Sequence, residues 1–320
     1  MEHLEHLKEY ILTVHPVRRS TREKGEFRAW AAGEFKRAGW KSREETYGKT
    51  NGSVNLIAGN PEKAEIFLCA HYDTGSRMLI PNFVAPLNAA AHVGYHTAAA
   101  VALVALSLLL SLAVSFPLGQ PGLMLPLFVI LAVGGLALSV YGPANRENAN
   151  GNSSGVAAVL ELAHRLRGEE RVCLLLLDNN ERNFLGAKAF AKHHPDAAAR
   201  STFINLDCVG DGEHLLLMPS RQSRWDEPLL HSLEEAFVGV GQLNASLVTV
   251  GLVYYPSDHR SFRRHVAVCT CRKMRLVGHY IPHLRTGKDK TLKTENIRCL
   301  ADGMERFLQL YFNREKENTP

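Results

Sequence analysis

Two long runs without a charged residue, in the middle of the chain, constrain its fold more than any other feature. The first begins at Thr97 and reads TAAAVALVALSLLLSLAVSFPL, and the second begins at Leu123 and reads LMLPLFVILAVGGLALSVYG. Each run has about 20 residues, enough for a helix to cross the hydrocarbon core of a bilayer. The link between them contains Pro117, Pro121 and Gly122, which break helices. We therefore predict a transmembrane hairpin that returns the chain to the side it left.

The hairpin divides the chain into three predicted segments. Residues 1–91 and 144–320 form the first and second parts of one α/β domain, and residues 92–143 form the inserted hairpin. The alternative is that both runs are buried helices of a large soluble core, although two such runs in tandem are rare in soluble proteins. His92 and His96, just before the first span, have the spacing of metal ligands on a helix, but they also suit a membrane interface.

Composition indicates a folded protein and argues against one class of partner. Apolar residues make up 46% of the chain and charged residues 22%, which is enough apolar material for a packed core. The formal net charge of +5 is modest, and Lys and Arg are dispersed rather than clustered. We therefore expect no nucleic-acid partner.

The cysteines and the flanks of the spans bear on localisation. Most of the six cysteines lie in apolar, strand-like runs and are expected to be buried free thiols of a reducing compartment. Cys269 and Cys271 are expected to lie on opposite faces of one strand, which would prevent them from sharing a metal. The start of the chain lacks the apolar core of a signal peptide, and Arg146 flanks the second span. These features predict a multi-pass membrane protein with two spans and a cytoplasmic soluble domain.

Strand and helix patterns alternate on both sides of the hairpin. An apolar run at 66–70 is typical of a buried strand before it, and similar runs end at Asp178 and Asp207 after it. Helical patterns separate these runs, as in SSGVAAVLELAHRL from Ser153. This alternation predicts a three-layer α/β/α sandwich around a mixed, mostly parallel sheet.

Three predicted strands end in side chains that can bind a metal. They end in His71-Tyr72-Asp73, in the segment from Asp178 to Glu181, and in Asp207. Because ligands in open α/β sheets gather at the carboxyl ends of the strands, these groups are expected to converge. Any one of them alone would more simply be a turn residue or a satisfied polar group.

Six segments follow one another in the order and spacing of a known family: AHYDT, GNSSGVA, DNNERNFLG, INLDCVG, SDHRSF and RTGKD. With these segments the chain resembles the co-catalytic zinc aminopeptidases of the aminopeptidase Y and bacterial leucyl aminopeptidase type. Some bacterial members also carry a membrane insert between the first two motifs. The resemblance implies a pair of zinc ions held by five side chains, with a bridging aspartate and a glutamate as general base.

Part of the implied zinc site is present. His71 and Asp207 match ligands of one zinc, and Glu181 matches a ligand of the other. Asp73 matches the acid that orients the histidine. Ser257, Asp258 and His259 match a segment beside the substrate cleft, where His259 is also a candidate replacement ligand.

Three other positions depart from the family. Gly151 stands where the family has the bridging aspartate, and it has no ligand atom. Asn180 stands at the general-base position, and an amide cannot accept a proton from water near neutral pH. Arg285 stands at the last histidine ligand and stays protonated, although a loop shift would bring His283 to that place. The flanking Asn150 and Asn152 are weak zinc ligands.

These departures predict a membrane-anchored homologue that is non-catalytic and binds a peptide or protein partner. The expected zinc content is zero or one ion rather than two. The alternative is an active metallo-aminopeptidase with a rearranged or single-zinc site. Arg285 is predicted to replace the charge of the missing metal by pairing with Glu181 or Asp207, unless it simply points to solvent from a loop.

Overall fold

The sheet lies at the centre of the molecule. A computed structural model describes residues 2–48, 52–78 and 80–318, with side chains to residue 314. Within these residues the strands are β1 (Ser42–Tyr47), β2 (Ser53–Ala58), β3 (Ile66–His71), β4 (Val172–Leu177), β5 (Thr202–Leu206), β6 (His214–Pro219), β7 (Asn244–Leu247), β8 (His265–Met274) and β9 (Gly278–Tyr280).

The strand order is β1-β2-β4-β3-β5-β8-β6-β7, with β9 paired to β8. The four central strands, β4, β3, β5 and β8, run parallel to one another, and antiparallel pairs flank them. The mixed, mostly parallel sheet predicted from the sequence is therefore confirmed. Because β3, β4 and β5 are adjacent and parallel, their carboxyl ends bring His71, Asp178 and Asp207 to one edge.

Helices cover both faces of this sheet. The described helices are α1 (Glu2–Thr13), α2 (Thr21–Arg37), α3 (Ala89–Ser115), α4 (Met124–Tyr141), α5 (Ser154–Arg165), α6 (Leu185–His193), α7 (Pro195–Arg200), α8 (Glu227–Ala236) and α9 (Thr294–Asn318). Helices α1, α2, α5, α8 and α9 pack in one core, whereas α6 and α7 pack in the core on the opposite face.

The side-chain alternation of the strands accounts for the two cores. In β3, Ile66 and Leu68 face the larger core, whereas Phe67 and Cys69 face the smaller one. Successive side chains of a strand point to opposite faces, and an apolar run therefore suits a strand that is covered on both sides. The layered α/β/α architecture follows from such runs.

One expectation about the cysteines was wrong. Cys269 and Cys271 are two residues apart on β8, and their sulfur atoms lie 3.7 Å apart on the same face of the sheet. Residues i and i+2 of a strand share a face, so opposite faces should not have been expected. All six cysteines are free, and five of them are buried, as predicted.

Helices α3 and α4 form an apolar pair that contacts the rest of the molecule only near its ends. By length and composition both could cross a membrane, and within their most apolar windows only 11% and 0% of the residues are buried. A helix of a soluble core would be mostly buried, and the low burial therefore disfavours that alternative. Ser107 and Ser111 are buried within the pair.

Helix α3 begins earlier than the apolar run that predicts it. It starts at Ala89, where the side chain of Asn88 accepts a hydrogen bond from the Ala91 N–H and caps the helix. Its first two turns contact the α/β domain. The Tyr95 hydroxyl donates to the Pro81 carbonyl over 2.9 Å, His96 Nε2 lies 3.0 Å from the Phe83 carbonyl, and the His92 ring packs against Tyr254. These turns therefore contact the domain on one side, whereas Val93 on another side of the helix is already half-exposed.

Deleting 97–141 and joining the ends with a short Gly/Ser linker should therefore give a soluble, folded domain. The deletion removes the exposed apolar surface and leaves every strand intact. Gel filtration without detergent and circular dichroism would test this expectation. Aggregation of the shortened chain, with the full chain monodisperse in detergent, would show that the hairpin is part of the core.

Candidate active site

A cavity of about 260 Å³ opens at the carboxyl ends of β3, β4 and β5. We call it the strand-end cleft. Its lining includes His71, Asn180, Glu181, Asp207 and Arg285, together with Gly151 and Asp289. The structure thus brings together the residues that the sequence places at the ends of separate strands.

His71 lies between two carboxylates at the base of this cleft. Its Nδ1 is 3.3 Å from Asp73 Oδ1, and its Nε2 is 3.7 Å from Asp207 Oδ1. Burial alone would lower the pKa of His71, but the neighbouring carboxylates of Asp207 and Asp73 outweigh it and raise the pKa to about 10. The raised pKa favours the protonated imidazole, and a metal ion would compete with that proton.

Asp73 connects the first strand end to the second. Its carboxylate accepts hydrogen bonds from the backbone N–H groups of Asn180 and Glu181, at 2.9 and 3.1 Å. Burial alone would raise the pKa of Asp73, but its contact with His71 and these donors lower it overall. Asp73 therefore contacts His71, as the resemblance implies for the orienting acid, and it also binds the turn after β4.

Asp207 is held from the other side. Its Oδ2 accepts a hydrogen bond of 2.6 Å from the Ser257 hydroxyl, and its backbone carbonyl accepts one from Tyr255. Ser257 is fully buried, and it therefore supports Asp207 rather than meeting a substrate directly. Asp258 is also fully buried, and burial raises its pKa to about 7 despite the nearby positive charge of His71.

His259 lies away from the strand-end cleft. It lines a separate cavity of about 580 Å³, and its ring stacks on Tyr255, which lines both cavities. Neither His259 nor His283 is among the residues that line the strand-end cleft.

Arg285 forms an ion pair with Glu181 inside the cleft. The two side chains are only 26% and 21% exposed, and the guanidinium Nη2 contacts Glu181 Oε2 directly. The ion pair that the sequence predicts for Arg285 is thus confirmed, with Glu181 as the partner. A fixed positive charge thus lies on the carboxylate that the resemblance places at a zinc site.

Gly75 and Gly151 leave space for these side chains. A Cβ on Gly75 would lie 2.7 Å from the Glu181 carboxylate carbon, and Glu181 could therefore not keep its position beside a larger residue. A Cβ on Gly151 would lie 3.0 Å from Asp289 Oδ2. Asp289 accepts hydrogen bonds from the backbone N–H groups of Asn150 and Gly151, at 2.8 and 3.1 Å.

Asp289 and Arg18 are important residues that the sequence analysis did not single out. Burial raises the pKa of Asp289 to about 7, even though two backbone N–H groups favour its charged form. Arg18 is fully buried, and it donates to the Tyr72 carbonyl and to the side chain of Asn152. Asp289 ends the RTGKD segment and was recognisable there, whereas Arg18 stands in no motif.

The residues at the strand ends do not fit a two-zinc centre. Gly151 offers no bridging atom, and Glu181 is neutralised by Arg285. His71 Nε2 and Asp207 Oδ1, 3.7 Å apart, remain as two potential metal ligands. Asn180 Nδ2 is buried without a hydrogen-bond partner and cannot act as a base.

Arg285→Ala should destabilise the domain by about 2 kcal/mol, less than the cost of breaking a fully buried pair because both partners are partly exposed. Denaturant unfolding monitored by circular dichroism would measure the change. Arg182→Ala is the matched control, because Arg182 is exposed in the same turn as Glu181. An Arg285→Ala protein as stable as the control would mean that the ion pair has no structural role.

Comparison with known proteins agrees with this geometry. The sequence profile described as Peptidase family M28 matches residues 138–289. A search of curated proteins gave no match.

Solved structures share the fold across nearly the whole chain. A Zn-dependent exopeptidase from Parabacteroides distasonis is 16% identical, with a TM-score of 0.59 and coverage of 96% of this chain and 97% of that one. A glutaminyl cyclase from Porphyromonas gingivalis is 14% identical, with a TM-score of 0.62 and coverage of 96% and 97%. A leucine aminopeptidase precursor from Bacteroides thetaiotaomicron is 14% identical, with a TM-score of 0.58 and coverage of 95% and 96%.

The family and its zinc-dependent exopeptidases point to zinc as the metal associated with this fold. At these identities the structural matches establish the fold alone. The profile match over residues 138–289, together with this fold, supports an M28 co-catalytic zinc aminopeptidase-like family for the chain.

Proposed function

We propose that this protein is a membrane-anchored, non-catalytic member of its family that binds a peptide or protein partner in the strand-end cleft. The observation that carries the proposal is the ion pair between Arg285 and Glu181. It neutralises a carboxylate that the family uses for zinc, and it does so with a group that cannot be a ligand. Gly151 and Asn180 remove the bridging atom and the base from the same cleft.

The polar lining of the cleft suits a peptide. It includes the asparagines Asn82, Asn145, Asn148, Asn152, Asn180 and Asn183. An amide side chain both donates and accepts hydrogen bonds, as the backbone of a peptide does. Asn145, Asn148 and Asn152 are buried and hydrogen-bond within the domain. Asn82, Asn180 and Asn183 are therefore the amides that could meet an extended chain without a metal ion or a catalytic base.

The rival function is hydrolysis of N-terminal peptide bonds by a rearranged or single-zinc site. It is supported by the two remaining potential metal ligands, His71 Nε2 and Asp207 Oδ1, which are 3.7 Å apart. Glu181 would complete a set of three if Arg285 moved away from it. The glutaminyl cyclases among the fold neighbours add cyclisation of an N-terminal glutamine as a second reaction to assay.

The two functions differ in zinc content and in turnover. If the protein is non-catalytic, the full chain in detergent should contain the same amount of zinc as its His71→Ala variant. It should also hydrolyse no aminoacyl chromogenic amide and cyclise no N-terminal glutamine. Zinc that His71→Ala removes, together with turnover that the same variant abolishes, would establish the rival. Comparison with His71→Ala is essential, because zinc bound elsewhere on the chain would survive that substitution.

Binding requires its own measurement. Equilibrium dialysis against a mixture of short unmodified peptides, with mass spectrometry of the retained fraction, would identify sequences that the protein holds. Gly151→Leu should abolish this retention, because its side chain would fill space in the cleft beside Asp289 and Leu284. Gly25→Leu in α2 is the matched control, because a Cβ at this half-exposed position would meet only the flexible Arg28 side chain, at 3.9 Å. Equal retention by both variants would place binding outside the cleft.

We also propose that helices α3 and α4 span a bilayer and that the α/β domain faces the cytoplasm. The exposed apolar surface of the pair supports the first part. The free cysteines and the short, uncharged hairpin link support the second. Protease added to intact cells or spheroplasts should leave the domain whole, and cleavage there without lysis would contradict the proposed orientation.

A further inference from the structure

A group of potential metal ligands lies outside the strand-end cleft, where helices α1, α2 and α5 meet. It consists of His3, Glu34 and His164, and we call it the helix-junction cluster. One ligand atom of each residue lies within 4.8 Å of the other two. Among the residues that the structure describes, no other group of histidine, cysteine, aspartate and glutamate meets this criterion.

The ligand atoms point towards a common centre. Glu34 Oε2 is 4.0 Å from His3 Nε2 and 3.8 Å from His164 Nε2. Arg37 contacts both oxygens of Glu34, Oε1 through Nη2 and Oε2 through Nε at 3.3 Å, and Oε2 also faces the two histidines. The centroids of the two imidazole rings are 3.9 Å apart.

Both histidine nitrogens in the cluster lack a partner. His3 Nε2 and His164 Nε2 are buried from solvent, and neither makes a hydrogen bond. Buried polar atoms are normally hydrogen-bonded or bound to an ion, and two unpaired nitrogens beside one carboxylate therefore need an explanation. Glu34, at 3% side-chain exposure, is also too deeply buried for an ordinary surface acid.

A second carboxylate orients one of the histidines. Glu161 Oε2 lies 3.3 Å from His3 Nδ1, while its other oxygen accepts a hydrogen bond from Arg165. A carboxylate on Nδ1 favours the tautomer that carries a proton there, and this leaves a lone pair on Nε2 for a metal. Metal-bound histidines usually have such a partner.

We propose that the helix-junction cluster is a zinc site, formed by His3 Nε2, His164 Nε2 and Glu34 Oε2. Two imidazoles and one carboxylate are a ligand set typical of zinc, with water free to take the fourth position. A tetrahedral ion with bonds of about 2.0–2.1 Å separates its ligands by about 3.3 Å. The two separations between Glu34 Oε2 and the histidine nitrogens, 4.0 and 3.8 Å, would therefore each close by less than 1 Å around the ion.

The site would fasten α1 to the body of the domain. His3 belongs to α1, Glu34 to α2 and His164 to α5, and one ion would thus join three helices. The apolar face of α1 already packs in the core through Leu4, Leu7 and Ile11. Zinc would add a link at its first turn, where a helix is most prone to fray.

Zinc binding to the full chain in detergent tests the proposal. After treatment with a chelator and incubation with zinc, the protein should keep one ion per chain through gel filtration, and His71→Ala should keep it too. His3→Gln and His164→Gln should lose it, whereas His6→Gln, which changes an exposed histidine of α1, should not. Glu161→Gln should weaken zinc binding about 10–100-fold, because it removes only the orienting carboxylate.

Two further readouts separate binding from folding. Circular dichroism of the metal-free variants establishes that they fold, and zinc should raise the unfolding temperature of the parent but not of His164→Gln. Cobalt(II) in place of zinc should give the visible absorption of a tetrahedral complex in the parent and in His71→Ala. Zinc retained equally by the parent and His164→Gln, or lost only in His71→Ala, would overturn the assignment.

Discussion

The triple variant Gly151→Asp, Asn180→Glu, Arg285→His should hydrolyse an aminoacyl chromogenic amide about two to four orders of magnitude faster than the parent. The substitutions supply a bridging carboxylate, a general base and a terminal histidine ligand. They also remove the guanidinium from Glu181, which frees that carboxylate for a metal ion. The variant should in addition hold two zinc ions that are lost in a His71→Ala background.

Each partial variant should remain inactive, because the missing functions depend on one another. Asn180→Glu alone provides a base without an activated water, and Arg285→His alone provides a ligand without a bridge. In Gly151→Asp, the Asp289 side chain must also shift slightly, because the new Cβ would lie 3.0 Å from Asp289 Oδ2. Gly151→Ala is the matched control, since it adds the same carbon without a carboxylate.

Two outcomes of this series would contradict the account of the lost site. Turnover by the parent at the rate of the triple variant would mean that the present residues already suffice. A triple variant that folds and binds two ions at the strand ends, yet hydrolyses nothing, would mean that a further determinant is missing. Metal analysis and circular dichroism on every variant keep these outcomes distinct.

Arg18→Met should cost about 3–5 kcal/mol of the free energy of unfolding, the largest effect on stability that we expect from one substitution. Arg18 is fully buried, and it donates to the carbonyls of His15 and Tyr72 and to the side chains of Asn152 and Ser153. Methionine fills much of the same volume but leaves these acceptors unpaired away from water. Denaturant unfolding in detergent would measure the loss.

The control for this prediction is Arg22→Met, in which an exposed arginine of α2 is replaced. Its unfolding midpoint should match that of the parent. Arg18→Lys should lie between the two, because one ammonium group cannot reach acceptors on several sides at once. If Arg18→Met unfolds at the same denaturant concentration as Arg22→Met, the buried hydrogen bonds do not contribute net stability.

Structural features that depend on short stretches of sequence were predictable. Apolar runs of strand length located β3, β4 and β5, and the polar residues after them marked the edge of the sheet. The charge balance of the site indicated that Arg285 pairs with an acid. Gly151 and Asn180 each remove a negative charge relative to the family, and Arg285 adds a positive one beside the remaining carboxylates. The partner is Glu181, one of the two acids that were expected.

Features that depend on long-range contacts were not predictable in this way. Arg18 and Asn152 are 134 positions apart, and no local pattern connects them. The turn after β4 has left-handed backbone at Asn179, Asn183 and Phe184, which asparagine tolerates but phenylalanine rarely adopts. His3 and His164 meet only because α1 packs on α5, and no spacing rule relates two histidines on separate helices.

The rigid connection between α3 and the domain has a consequence for how a partner is captured. Tyr95 and His96 join the first turns of α3 to the segment before it, and Val84 and Asn88 join that segment to the domain. The apolar helices are thus hydrogen-bonded to the domain that holds the cleft. With those helices in a bilayer, the cleft would keep a fixed height and tilt above the lipid surface. A ligand tethered to the same membrane would then meet it by two-dimensional diffusion at a high effective concentration, and weak intrinsic affinity would be enough for occupancy.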